Sequence, residues 1–160
     1  MTTRAYVGVG SNLDDPLKQV RQALAELDSI ARTRCVLRSS LYRSAPMGPQ
    51  DQPQYVNAVA GLDTELAPLD LLHALQAVEE RHGRTRSALR WGPRTLDLDL
   101  LMYADRQIES AELTIPHPGL HERPFVLYPL AEIAADLIVP GRGSLAELVA
   151  ALPAAELERV

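Results

Sequence analysis

The sequence predicts an α+β fold, with a βαββαβ core of ferredoxin-like order, an antiparallel sheet flanked by helices, and a C-terminal extension. Two segments carry apolar residues at helical spacing, Leu17-Val20-Leu24-Leu27 and Leu71-Leu72-Leu75-Val78. Strand-like runs surround them as AYVGVG, then CVLRSSLYRSA and YVNAVAGLDTE together, then LDLDL. The order is therefore strand, helix, strand, strand, helix, strand, with the two helices on one side of the sheet. The remaining third of the chain shows only short apolar patches, which suits an extension to that core.

RAYVGVGSNL opens with an apolar run ending at Gly8 and Gly10, which reads as a strand followed by a tight turn. Asp14 and Asp15 offer an N-cap and Pro16 suits a first helical turn, so the first helix starts here, with Ile30 as the far end of its stripe. CVLRSSLYRSA is the second strand, and YVNAVAGLDTE is the third, with Val56, Ala58, Ala60 and Leu62 on one face. Between them APMGPQDQP, rich in proline, is a loop. Pro68 and Asp70 start the second helix, which ends near His82 with Gly83 as its cap. The segment to Arg94 is a long irregular loop. From Leu96 to Leu100 leucine and aspartate alternate strictly, the period of a strand with one buried face. Beyond it, ELTIPH is strand-like, HPGLHERPFVLYPL is proline-rich, a short helix spans Leu130 to Ala135, and SLAELVAAL makes a last amphipathic helix.

At 160 residues the chain suits a single domain over 1–160 with a proper core. Its apolar fraction of 46% and charged fraction of 23% are those of a globular protein. No apolar run approaches a membrane span and the N-terminus lacks a signal-peptide core, so a cytoplasmic protein is expected. Cys35 is the lone cysteine and can make neither an internal disulfide nor a thiolate metal site. The net charge of −5 argues against nucleic acid as a partner. With no heptad pattern in the sequence, a monomer is expected.

Asp97 and Asp99 share the face opposite the leucines. At i and i+2 on a strand their Cα atoms lie about 6.5–7 Å apart, close enough to converge on one hard cation or bracket two. Magnesium takes one or two protein carboxylates and completes its shell with water and phosphate. A half-exposed strand that merely carries two acids on its polar face would look the same. The basic residues weigh on the other side: Arg81, Arg84, Arg86, Arg90 and Arg94 fall in a segment with no acid between Glu80 and Asp97. Guanidinium forks match phosphate oxygens, and carboxylates with arginines point to phosphoryl-transfer chemistry. GVGSNL lacks the third glycine of a dinucleotide fingerprint, and the chain has no Walker motif, so side chains must hold any phosphates. Trp91, Phe125 and Tyr55 are candidates for clamping a flat heterocycle, with a core role as the alternative. His117 and His121 have no zinc-site spacing near them.

Taken together, VGVGSNL, YRSAPMGPQDQPQYVNA, ERHGRTR, RWGPRTLDLDLL and LTIPHPGLHERPFVLYPLAEIA closely resemble the 6-hydroxymethyl-7,8-dihydropterin pyrophosphokinase family over nearly the whole chain. The resemblance implies transfer of the β,γ-pyrophosphoryl group of ATP to the pterin hydroxymethyl group, with release of AMP. It implies two magnesium ions on Asp97 and Asp99, and phosphate contacts from Arg84, Arg90, Arg94, Arg123 and His117. Gln76 and Glu79 would line the nucleotide side, with Leu100 and Thr114 among the ATP contacts. Tyr55 and Phe125 would sandwich the pterin, Asn57 would hydrogen-bond its ring, and Ser44, Ala45 and Met47 would give backbone contacts. Trp91 would cover both substrates from the arginine loop. Arg90 and Arg94 would join the two aspartates as the catalytic set.

The chain departs from the family pattern at Glu112, where an arginine is common, at Pro118, where a tyrosine is, and at Ser44-Ala45, where a threonine-proline pair is. The first two bear on the nucleotide side. No obvious general base stands out: Asp99 is conceivable, but a carboxylate on magnesium is a weak base, and the proton acceptor is left open. Two other classes compete: a nucleotide-sensing module, which has no need of paired metal carboxylates, and a metal-dependent nuclease, which would want an extended basic face.

Overall fold

The computed structural model of the chain describes residues 1–12, 15–44, 55–82, 95–152 and 157–160, with Ser44 described by its backbone alone. In chain order the elements are β1 (Thr3–Ser11), α1 (Pro16–Leu27), β2 (Thr33–Arg38), β3 (Tyr42–Ser44), β4 (Tyr55–Thr64), α2 (Pro68–Arg81) and β5 (Asp97–Tyr103). The extension adds β6 (Ile108–Glu109), β7 (Thr114–Ile115), a 3-10 turn (Leu120–Glu122), α3 (Pro124–Ile133), β8 (Ile138–Val139), β9 (Gly143–Ser144), α4 (Leu145–Ala151) and β10 (Glu158–Arg159). The main sheet runs β10-β3-β4-β1-β5, with β2 also paired to β4, and its described pairings are antiparallel. Because β2 and β3 share one flank of β4, the core has the ferredoxin-like order the sequence predicts.

Local chemistry explains the elements. Asp15, at φ 63°, caps α1 by accepting from the Lys18 amide, and Pro16 takes the first turn. Val20, Ala23, Leu24 and Leu27 of α1 join Leu71, Leu75 and Val78 of α2 on one face of the sheet. Opposite them, Val7 and Val9 of β1, Val56, Ala58, Ala60 and Leu62 of β4, and Leu98 and Leu100 of β5 complete this core. The period-2 reading of β4 and β5 is thus correct.

Several sequence-based expectations need correction. The first strand does not end at Gly8 and Gly10. It runs through both to Ser11, because the glycines sit where β1 is flanked by β4 and β5 and the ladder bonds continue. CVLRSSLYRSA is two strands, divided where Ser39 turns its hydroxyl to accept from the Val59 amide. The proline-rich PFVLYPLAEI is itself helix α3, so the helix expected over Leu130 to Ala135 begins earlier. Pro124 fits its first turn, and Pro129 is accommodated inside it at the loss of one helical donor. The two core helices do lie on one side, as expected, and the helices of the extension lie on the other. Val126, Leu127 and Leu130 of α3 and Leu145 of α4 pack on the opposite face against Tyr6, Val59, Leu101 and Met102.

One irregularity positions the site. The β1–β5 register shifts between Tyr6 and Val7, leaving Leu101 as an extra residue in β5. Leu101 and Met102 therefore both face the second core, as a bulge dictates.

Candidate active site

Asp97 and Asp99 emerge at the start of β5, half-buried, on the face opposite Leu96, Leu98 and Leu100. Their direct cross-strand partners on β1 are Gly10 and Gly8. Directly opposed residues in an antiparallel pair point to the same face, so each carboxylate stands beside a position with no side chain. Gly10 is in turn opposite Asn57 on β4, and Tyr55, two residues before Asn57, shares that face. One row across the sheet thus reads Asp97, Gly10, Asn57, Tyr42.

The edge of β5 is held from outside. Glu79 of α2 is 5% exposed and its carboxylate accepts from the Leu98 amide at 2.8 Å. That amide lies between the two aspartates in sequence, so Glu79 fixes the backbone that carries them. Leu100 is 3% exposed, with its side chain in the main core. Gln76, one turn before Glu79, is half-buried, and so is Thr114 on β7.

Two hydrogen-bond donors, an imidazole and a guanidinium, flank Asp99. His117 Nε2 stands 3.9 Å from Asp99 Oδ1, and Arg123 Nη1 stands 3.8 Å from Oδ2. Both distances exceed a hydrogen bond, so the three groups surround a common space without being locked to one another. His117 is aimed by its backbone: its amide donates to the Leu101 carbonyl at the bulge, at 2.9 Å. Its Nδ1 accepts from the Gly119 amide at 3.1 Å, so in the neutral ring Nε2 carries the proton and faces Asp99. Burial pushes the His117 imidazole below its ordinary value, with Asp99 opposing and Arg123 reinforcing that shift. The neutral, Nε2–H form is the one favoured at neutral pH.

Arg123 also lies over the Phe125 ring, 5.8 Å from its centroid, and so links the carboxylates to the aromatic side. Gly119 leaves room for it: a Cβ there would fall 2.7 Å from Arg123 Nε. Phe125 is half-buried and packs against the second core. His121 pairs with Glu122 at 3.4 Å, and Glu112 pairs with His73 of α2 at 2.9 Å across an exposed surface.

Asp97, Asp99, His117, Arg123, Tyr55, Asn57 and Phe125 thus stand on β5, the β7–α3 connection, β4 and α3, converging at one end of the sheet's second face. Ser44 pairs by its backbone with Tyr55 at the same end. Ala45, Met47, Arg84, Arg90, Trp91 and Arg94 lie outside the described residues. Two half-buried carboxylates two residues apart on one strand face suit a hard cation that keeps water and phosphate ligands, and His117 and Arg123 suit the phosphate itself. The sequence reading missed Gly10, because a glycine after an apolar run reads as a turn. It also missed the backbone task of Glu79, because no local pattern reveals a partner nineteen residues away.

Comparison with known proteins decides the family. Residues 6–135 match the model of the 7,8-dihydro-6-hydroxymethylpterin-pyrophosphokinase (HPPK) family. This chain belongs to the HPPK family. It is similar to the 2-amino-4-hydroxy-6-hydroxymethyldihydropteridine pyrophosphokinase of Pseudomonas aeruginosa, 51% identical over 100% of this chain and 98% of that protein. The like-named Haemophilus influenzae protein is 51% identical over 91% of this chain and 90% of its own. Among solved structures, wild-type Plasmodium falciparum HPPK-DHPS superposes with a TM-score of 0.73 at 12% identity, over 94% of this chain and 43% of that one. At that identity the superposition speaks to the HPPK fold alone, and the chain spans less than half of that longer protein.

Proposed function

We propose that this HPPK-family chain transfers the pyrophosphoryl group of ATP to the hydroxymethyl group of 6-hydroxymethyl-7,8-dihydropterin, a step of folate biosynthesis. The observation that carries it is the convergence, among the described residues, of two carboxylates, a guanidinium and an imidazole donor, and an aromatic-amide pair at one end of one sheet face. In the reaction the pterin hydroxyl oxygen attacks the β-phosphorus. The bond from that phosphorus to the α,β-bridging oxygen breaks, AMP leaves, and the hydroxyl proton is lost. The pterin diphosphate is the other product.

Asp97 and Asp99 are the residues to hold magnesium, two ions by the family reading, and bound there the metal supplies charge neutralisation across the triphosphate. His117 donates from Nε2 and Arg123 from its guanidinium to phosphate oxygens, and both are positioned before substrate arrives. Arg84, Arg90 and Arg94 add phosphate contacts from the segment between α2 and β5, and Trp91 covers the substrates. Gln76, Thr114 and the backbone of Leu100 line the nucleotide side, with Glu79 holding the strand beneath. Tyr55 and Phe125 stack on the pterin, and Asn57, with the backbone of Ser44, Ala45 and Met47, reads its edge. On this reading the protein is a single pyrophosphokinase domain that works as a monomer in the cytoplasm, and no helix among its described residues is long and apolar enough to cross a membrane.

The test is direct. Purified protein should form AMP from ATP only when magnesium and 6-hydroxymethyl-7,8-dihydropterin are both present. AMP release without the pterin, or none with all three, would reject the assignment.

A further inference from the structure

We propose that Gly10 is a positioning residue for pterin recognition: its missing side chain is what lets the Asn57 amide lie over β1 beside Asp97. The inference rests on the pterin reading of Tyr55 and Asn57. Gly10 is flanked by Asp97 on β5 and Asn57 on β4, so it is where the metal side and the heterocycle side of the face meet.

A Cβ built on Gly10 would fall 2.8 Å from Asn57 Oδ1 and 3.9 Å from Tyr55 Cδ1. The first distance is inside van der Waals contact, and Asn57, at 5% exposure, has little room to withdraw. The requirement is for space and not for backbone freedom. Among the described residues the glycines with positive φ are Gly141 and Gly143, and Gly10 is ordinary strand. Nor is it a general demand of β1, since a Cβ on Gly8 would meet Leu101 at 3.6 Å, an ordinary contact. Glycine inside a central strand weakens it. Keeping one here is explained by what it lets the neighbouring strand's amide do.

The experiment is a double-mutant cycle on the full chain with Gly10→Ala, Asn57→Ala and both together. Affinity for 6-hydroxymethyl-7,8-dihydropterin is measured with magnesium and α,β-methylene-ATP, whose bridge cannot be cleaved. The nucleotide's own affinity and the thermal midpoint are measured alongside. Gly10→Ala should weaken pterin binding about tenfold or more while nucleotide affinity stays within about twofold. In the Asn57→Ala background the added methyl should change pterin binding and thermal midpoint little, because the atom it strikes is gone. Equal losses for both ligands, or the same loss in both backgrounds, would overturn the proposal. If Gly10→Ala alone does not fold, the double variant must fold and match Asn57→Ala; its failure to fold also overturns it. A wild-type protein that binds no pterin would sink the functional reading along with it, whereas normal pterin binding by Gly10→Ala would sink this inference alone.

Discussion

At Asp99 the two carboxylate oxygens face different partners, His117 on one side and Arg123 on the other. Replacing it with asparagine keeps the shape but removes the charge that a divalent cation needs. Asp99→Asn should lower the rate of AMP formation by orders of magnitude, a loss of roughly 3 kcal/mol or more, as for other groups that stabilise developing charge. Folding should survive, because a half-exposed side chain with loose partners contributes no more than about 0.5 kcal/mol. Near-normal turnover at saturating magnesium would refute the metal assignment. Phe125 poses a different balance. Its ring lies under Arg123 and against the second core, so Phe125→Ala should cost stability as well as binding. A half-buried ring loses less than a full core deletion, so about 1–3 kcal/mol is expected by denaturant unfolding. What identifies it as a clamp is selectivity: calorimetry should show pterin affinity falling far more than ATP affinity. Comparable losses for both ligands would leave Phe125 as core alone.

The element that matters most is β5, an edge strand of the main sheet that carries both aspartates. A carboxylate on α2 holds its edge, accepting from the Leu98 amide in a buried setting. Glu79→Ala would leave that amide unpaired and should cost about 1.5–3 kcal/mol, the range for a hydrogen bond to a charged group. Glu79→Gln keeps an acceptor of the same length and should recover much of the loss in unfolding experiments; a loss in Glu79→Gln as large as in Glu79→Ala would show that the carboxylate charge, and not an acceptor of this length, is what Glu79 supplies. The strand itself was legible in the sequence, since leucine and aspartate alternate with no exception from Leu96 to Leu100. Its bulge at Leu101 was not. A bulge is fixed by the register with β1, which lies more than ninety residues away. It is nonetheless what aims His117, through the Leu101 carbonyl. Helix α3 was hidden for the opposite reason. Pro124 and Pro129 made PFVLYPLAEI look irregular, yet the first suits a helix start, and packing against Tyr6, Val59 and Met102 outweighs the donor lost at the second. The residues carrying the candidate site were legible because short motifs hold them; the glycine floor and the buried carboxylate were not, because both are defined only by partners on other strands and helices.

Across the whole molecule, the two faces of the sheet divide the labour. One is filled by α1 and α2; the other is covered by α3 and α4 over part of its length, leaving the end with Asp97, Asn57 and Tyr55 for the candidate site. The cover is tied to the sheet by Glu132 of α3, which accepts from the Tyr42 hydroxyl at 2.6 Å, the Ser40 hydroxyl at 2.8 Å and the Ser40 amide at 3.0 Å. Arg159 of β10 stands 3.8 Å from the same carboxylate and donates to the Tyr42 hydroxyl at 3.2 Å. One acid therefore joins α3, the β2–β3 connection and the last strand. Burial pushes the Glu132 carboxyl up, but the Tyr42 and Ser40 hydrogen bonds and Arg159 outweigh it, and its value lies below the ordinary 4.5. The sign follows: near pH 4.5 the unfolded chain binds more protons at this group than the folded one. The stability it contributes is therefore fully present above that pH and is lost as the pH falls through the folded value. Unfolding free energy measured from neutral pH downward should drop more steeply below pH 4.5 in the wild type than in Glu132→Gln, which cannot titrate. At neutral pH the variant should be the less stable of the two, with Tyr42 and Arg159 facing an amide in place of a charge. Parallel curves for the two proteins through the acid range would mean that Glu132 is a bystander and that apolar packing alone holds α3 to the sheet.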